Sequence, residues 1–77
     1  MSNAPAQGSR AITPSDSTTF STPTRGIYVG VTGDVKMTMY DGSVVTRKNV
    51  VAGITHPWSV VQVWVTGTTA TNIIGDF

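Results

Sequence analysis

The sequence predicts an all-β fold: a small antiparallel β-sandwich or barrel preceded by an extended N-terminal arm. Three observations carry this expectation. From Arg25 onward the chain is a series of short β-branched and aliphatic runs with period-two alternation. Turn-forming pairs such as Gly33-Asp34, Asp41-Gly42 and Gly67-Thr68 separate those runs at close spacing. No stretch places apolar residues at helical spacing between caps.

Residues 1–24 lack the periodicity of helix or strand and are read as an extended arm, with a disordered tail as the other reading left open. They include 13 Ser, Thr or Pro residues and three of the four prolines, Pro5, Pro14 and Pro23. Each proline removes an amide donor and biases its predecessor toward extended backbone. Beyond Met1 and the alanines, the apolar residues here are Ile12 and Phe20, too far apart to build a core but suited to anchor an arm on a neighbouring subunit. Fully extended, the arm spans roughly 80 Å.

Residues 25–77 form the β domain. Gly26 to Val31 is the first strand, with Ile27, Val29 and Val31 on one face, and Thr32-Gly33-Asp34 turns the chain. In Val35 to Tyr40 the alternation sends Val35, Met37 and Met39 inward and Lys36 and Thr38 outward. Asp41-Gly42 then predicts a two-residue type I′ hairpin returning through Ser43 to Lys48. A turn over Asn49 to Gly53 leads into Ile54-Thr55-His56, which Pro57 restricts to an edge or bend. Trp58 to Thr66 is the longest expected strand and is largely apolar on both faces, with Val61, Val63 and Val65 against Trp58, Val60, Gln62 and Trp64. Such a strand lies either between two layers or against a partner. Thr69 to Phe77 supplies the last strand.

Composition bounds the function. The 77 residues allow one small domain, and a chain of this size buries only about 60% of its unfolded surface. Small scaffolds are reinforced by disulfides, metals or oligomerisation. There is no Cys and a single His, so oligomerisation is the route left open. Charged residues make up 12%, about half the usual share, and Ser and Thr fill the gap. That surface suits life against other protein. The net charge of +1 is scattered and forms no basic stripe, which argues against nucleic-acid binding. No window reaches the ~18 apolar residues of a membrane-spanning helix, and residues 1–10 lack the apolar run of a secretory signal.

Catalytic chemistry finds no support. His56 and Ser59 lie close in sequence, but no nucleophile elbow surrounds Ser59. Asp34 and Asp41 fall in turns, where Asp bonds local backbone. The eight glycines show neither dinucleotide-binding nor P-loop spacing. No cofactor and no metal site are expected. Ile12, Phe20, Tyr28, Trp58, Trp64 and Phe77 are the candidates for an assembly interface, since Trp and Tyr are enriched at interface hot spots. Two other readings remain open for the aromatics: core packing, and stacking of host glycans on Trp58 or Trp64.

The order of several segments carries a family resemblance. They are Ala11-Ile12-Thr13-Pro14-Ser15-Asp16-Ser17-Thr18, Thr24-Arg25-Gly26-Ile27-Tyr28-Val29-Gly30, Gly33-Asp34-Val35, Asp41-Gly42-Ser43, Asn49-Val50 with Ala52-Gly53, Val65 to Thr71, and Ile73-Ile74-Gly75. In this order the chain resembles the small head-spike base proteins of tailed phages and gene transfer agents, over residues 11–77. The resemblance implies a virion structural protein, made in the bacterial host cytoplasm and seated on the capsid exterior. Its implied partners are its own homo-oligomer, the major capsid protein and a spike or fibre protein. A five-fold vertex, a cement position elsewhere on the shell and a place in the tail are all compatible with it.

Overall fold

The computed structural model describes residues 8–77, and within them the chain forms seven β-strands and no helix. They are β1 (Ser9–Ala11), β2 (Gly26–Val31), β3 (Gly33–Met39), β4 (Val44–Val50), β5 (Thr55–His56), β6 (Val60–Val63) and β7 (Thr71–Asp76). Two antiparallel sheets pack together as a sandwich, one in the order β1-β7-β2-β5 and the other β4-β3-β6. Between them lies a core of Ile27, Val29 and Ile73 from the first sheet against Val35, Met37, Val50, Val60 and Val63 from the second, with Ala70.

The chain changes sheets between β2 and β3, and this is where the expected turn over 32–34 differs from the structure. Only Thr32 lies outside the strands, and Gly33 and Asp34 already belong to β3. The crossing brings Gly33 onto the backbone of Ala70, whose nitrogen would lie 2.6 Å from any Cβ at position 33. Only glycine fits there. At the end of β2 the expected inward position of Val31 is also corrected. It is half exposed, because β2 runs past the core before crossing.

The β3–β4 hairpin forms, with Val35 facing Arg47, Met37 facing Val45 and Thr38 facing Val44. Its loop is not the expected two-residue type I′ turn. Gly42 is left-handed at φ +92°, but the non-glycine residues with positive φ in the described chain are Asn49 and Asn72, not Asp41. The Gly42 amide donates to the Met39 carbonyl, and the Met39 amide to the Ser43 carbonyl. This makes a three-residue loop closed by a left-handed glycine. Asp41 holds it by accepting from both the amide and the hydroxyl of Ser43.

Two bulges reset the alternation. Gly33 faces Val50 whereas Val35 faces Arg47, so β4 carries an extra residue, Asn49, at φ 54°. The bulge turns Val50 into the core. On the other side of β3, Thr38 faces Gln62 and Met39 faces Val60, which leaves Val61 as the extra residue of β6. Val60 and Val63 are consequently both buried, contrary to the expected split of the 58–66 run into two faces. The regular strand stops at Val63, and Val65 is exposed. Beyond it Thr69 and Ala70 donate to the Asp34 carbonyl and take over the flank of β3.

Residues 8–24 lie along their own body. Gly8 and Phe77 exchange amide–carbonyl bonds, β1 pairs with β7, and Ile12 donates to the Ile73 carbonyl. The segment then crosses to the other sheet, where Ser15, Phe20 and Thr24 donate to the carbonyls of Val63, Val61 and Val60. It closes one side of the sandwich as a strap and covers the outer edge of β6. Residues 1–7 of the expected arm lie outside the described residues.

Candidate functional site

The six interface candidates occupy four places. Ile12, Phe20 and Phe77 come together under the strap. The two Phe rings meet edge to face with centroids 6.3 Å apart, and the Arg10 guanidinium lies 4.8 Å from the Phe77 ring. An open cleft of 160 Å³ remains there, walled by Arg10, Ile12, Phe20 and Phe77 among others. Trp58 sits between β5 and β6, stacked on His56 at 4.5 Å and 14°, with the Arg47 guanidinium 4.5 Å from its ring. His56 Nε2–H donates to the Val51 carbonyl at 3.1 Å. Trp64 lies elsewhere, with Lys36 Nζ 4.5 Å from its ring. Tyr28 is on the outer face of the first sheet, in a cross-strand row of Ala11, Ile74, Tyr28 and Thr55.

A polar relay connects Trp64 to the strap. Its Nε1–H donates to Thr38 Oγ1, the Thr38 hydroxyl donates to Gln62 Oε1, and Gln62 Nε2 donates to the Ser15 carbonyl. Gln62 is buried, so these bonds satisfy a side chain that would otherwise be costly to enclose.

The acidic groups are committed to local structure. Asp16 accepts from the Thr66 hydroxyl and the Thr66 and Val65 amides, which hold its carboxyl below the usual range. The Asn49 amide and then Lys48 do the same for Asp34, and Ser43 for Asp41. Among the described residues no three metal-ligating side chains converge.

Three exposed aliphatics, expected on a strand face (Val31), in a turn (Val51) and in an edge piece (Ile54), lie at one end of the sandwich. Val31, Val51 and Ile54 are 50%, 54% and 53% exposed. Gly53 donates to the Val29 carbonyl and Ala52 to the Thr32 hydroxyl, which ties the 51–54 connection to the end of β2. The usable signal was the stretch Asn49 to Pro57, which has no Asp, Glu, Lys or Arg.

No family model and no curated protein matches the sequence. Among solved structures, a chain of the capsid of a native GTA (gene transfer agent) particle, computed with C5 symmetry, superimposes with a TM-score of 0.83 at 35% sequence identity. The match covers 96% of this chain and 86% of that one. The chain belongs to the family of that capsid component. It is a capsid-related, virion structural protein. In this family member one end of the sandwich is aliphatic, while both tryptophans are engaged by cations of their own chain.

Proposed function

We propose that this protein is a subunit of a homo-oligomer on the exterior of a phage-like head, decorating the shell or forming the base that holds a spike or fibre. The observation that carries this reading is the 35% identity through 86% of a chain from a GTA capsid computed with C5 symmetry. A five-fold vertex is the position that the resemblance to the gene transfer agent spike bases implies. The Val31–Val51–Ile54 end is the surface that meets the major capsid protein, because exposed aliphatics gain most by leaving water. Tyr28 and the Ile12–Phe20–Phe77 cluster then face sister subunits. Glycan stacking is the weaker reading, since a cation or imidazole of the same chain already lies against each tryptophan.

The test is a reconstruction of purified particles, with the copy number of this chain measured beside a Val51→Ser/Ile54→Ser variant. The expected result is external density on a symmetry axis and loss of most copies in a variant that still folds. Density inside the shell, or absence of the chain from purified particles, overturns the proposal.

A further inference from the structure

The strap completes the fold through bonds to main-chain atoms of the body. Gly8, Ile12, Ser15 and Phe20 donate to the carbonyls of Phe77, Ile73, Val63 and Val61. Those acceptors lie on β6 and along β7, and they receive the same strap equally well from any copy of this chain. Left uncovered, they form unpaired sheet edges. The strap joins the body through Ser21-Thr22-Pro23, of which Ser21 and Thr22 are exposed. The next residue, Thr24, is fixed: its hydroxyl donates to the Trp58 carbonyl and accepts from the Val60 amide. A hinge is therefore placed directly before an anchor. Pro23 biases Thr22 toward extended backbone, the geometry needed to cross to a neighbour. The strap packs Ile12 and Phe20 against the core and Phe20 against Phe77, beside an open cleft of 160 Å³, and an exchanged strap remakes these same contacts on the neighbouring copy.

We infer that in the assembled oligomer the straps are exchanged, residues 8–23 of each copy completing the β6 and β7 edges of the adjacent copy. The inference rests on the homo-oligomer reading above. Exchange replaces each bond with an identical one, so the closed and exchanged forms differ mainly at the hinge and in the distance to the neighbour. Docking on a shell fixes that distance and raises the effective concentration of the neighbouring edge.

The chain has no cysteine, so an engineered pair reports cleanly. Ala11 and Ile74 are direct partners across β1 and β7, at a position between the bonded pairs Gly8–Phe77 and Ile12–Ile73, where side chains approach closely. Ala11→Cys/Ile74→Cys particles, oxidised and run on a non-reducing denaturing gel, should show most of the chain in covalent oligomers. Ser9→Cys/Asp76→Cys is the second reporter, should the first variant fail to fold. Lys36→Cys/Thr46→Cys, across β3 and β4, is the control and should close within one chain. Oxidised monomer in the strap variants, free thiols that never pair, or oligomers in the control overturn the exchange. Unmodified particles settle the other question: an oligomer of wild-type chain alongside monomeric strap disulfides leaves the proposed function standing, whereas an isolated wild-type copy overturns both.

Discussion

The Arg47 guanidinium lies 4.5 Å from the centre of the Trp58 ring, and this contact ties together the two open edges of the sandwich. Arg47 faces Val35 across the β3–β4 pair, so it occupies a core-side position on an edge strand that cannot bury a charge. Its stem instead covers apolar surface while its head reaches the ring. His56 of β5, the edge of the other sheet, stacks on the same indole. The ring is thus a clasp between β4 and β5.

Trp58→Ala should therefore destabilise the isolated domain by about 2 kcal/mol, roughly half the loss for a fully buried Trp. Arg47→Ala should cost about 0.5–1 kcal/mol, and the double variant should show coupling of similar size. Urea titrations of the four proteins measure this. A Trp58→Ala protein as stable as wild type, yet lost from particles, would assign the ring to the interface alone.

Thr24 is the second anchor. It is 1% exposed, and its hydroxyl serves the Trp58 carbonyl and the Val60 amide together. Thr24→Val keeps the shape but strands the Val60 amide, and the expected cost is about 1–3 kcal/mol. Thr24→Ser, which keeps the hydroxyl, should recover most of that in the same unfolding measurement.

Glycine substitutions separate close approach from backbone conformation. At Gly33 a Cβ would meet the Ala70 backbone at 2.6 Å, so Gly33→Ala should force the β2–β3 crossing apart and lower the melting temperature strongly. At Gly42 the surroundings are open and φ is +92°, so Gly42→Ala should cost only about 1 kcal/mol. Equal effects at the two sites would contradict the assignment of Gly33 to close packing.

Much of this architecture was readable because period-two alternation and turn residues report directly on a half-buried sheet. Val35, Met37 and the hairpin around Asp41-Gly42 are examples. Alternation misleads where a strand carries an extra residue: the bulge at Val61 puts Val60 and Val63 on one face, and the bulge at Asn49 turns Val50 inward. The loop type was missed because Asp41 keeps negative φ and bonds Ser43. The strap gave no periodic signal, since it is held through amides to edge carbonyls and its side chains show no regular spacing. Val51 and Ile54 carry no sequence signal of their own as a surface, because one falls in a turn and the other in an edge piece and single exposed aliphatics are common on any folded surface. The family resemblance located the chain among virion proteins.

Acid should loosen the strap and the turns. The folded-state carboxyls of Asp16, Asp34 and Asp41 are all held below their ordinary value. A depressed carboxyl contributes stability that is full above the unfolded pKa, about 3.9, and is lost as pH falls through the lower folded value. Stability from these groups should be intact above about pH 5 and decline below about pH 4. The protection factors of the Val65 and Thr66 amides, which donate to Asp16, should fall in that acid range once the slower intrinsic exchange at low pH is divided out. In Asp16→Asn those amides should already exchange faster at neutral pH and respond less to acid. Protection unchanged down to pH ~3 would contradict the role given to Asp16.

Attachment to the particle should be nearly indifferent to salt, because the chain has committed its charges to itself. Arg10, Lys36 and Arg47 lie over aromatic rings of the same chain. Lys48 pairs with Asp34, Asp16 and Asp41 are bonded to nearby backbone and hydroxyl groups, Asp76 accepts from Ser9, and Arg25 also has an interaction. Drawing any of them into a bridge with the shell would break an existing contact, and exposed ion pairs contribute only ~0–1 kcal/mol. Raising salt from about 0.1 M to 1 M shortens the screening length from roughly 10 Å to 3 Å. Retained copies per particle should change by less than about twofold across that range. Val51→Ser/Ile54→Ser should lose far more at low salt than Lys36→Ala does. Stripping by salt alone, with the Val51/Ile54 variant fully retained, would show that charge rather than apolar burial holds the protein in place.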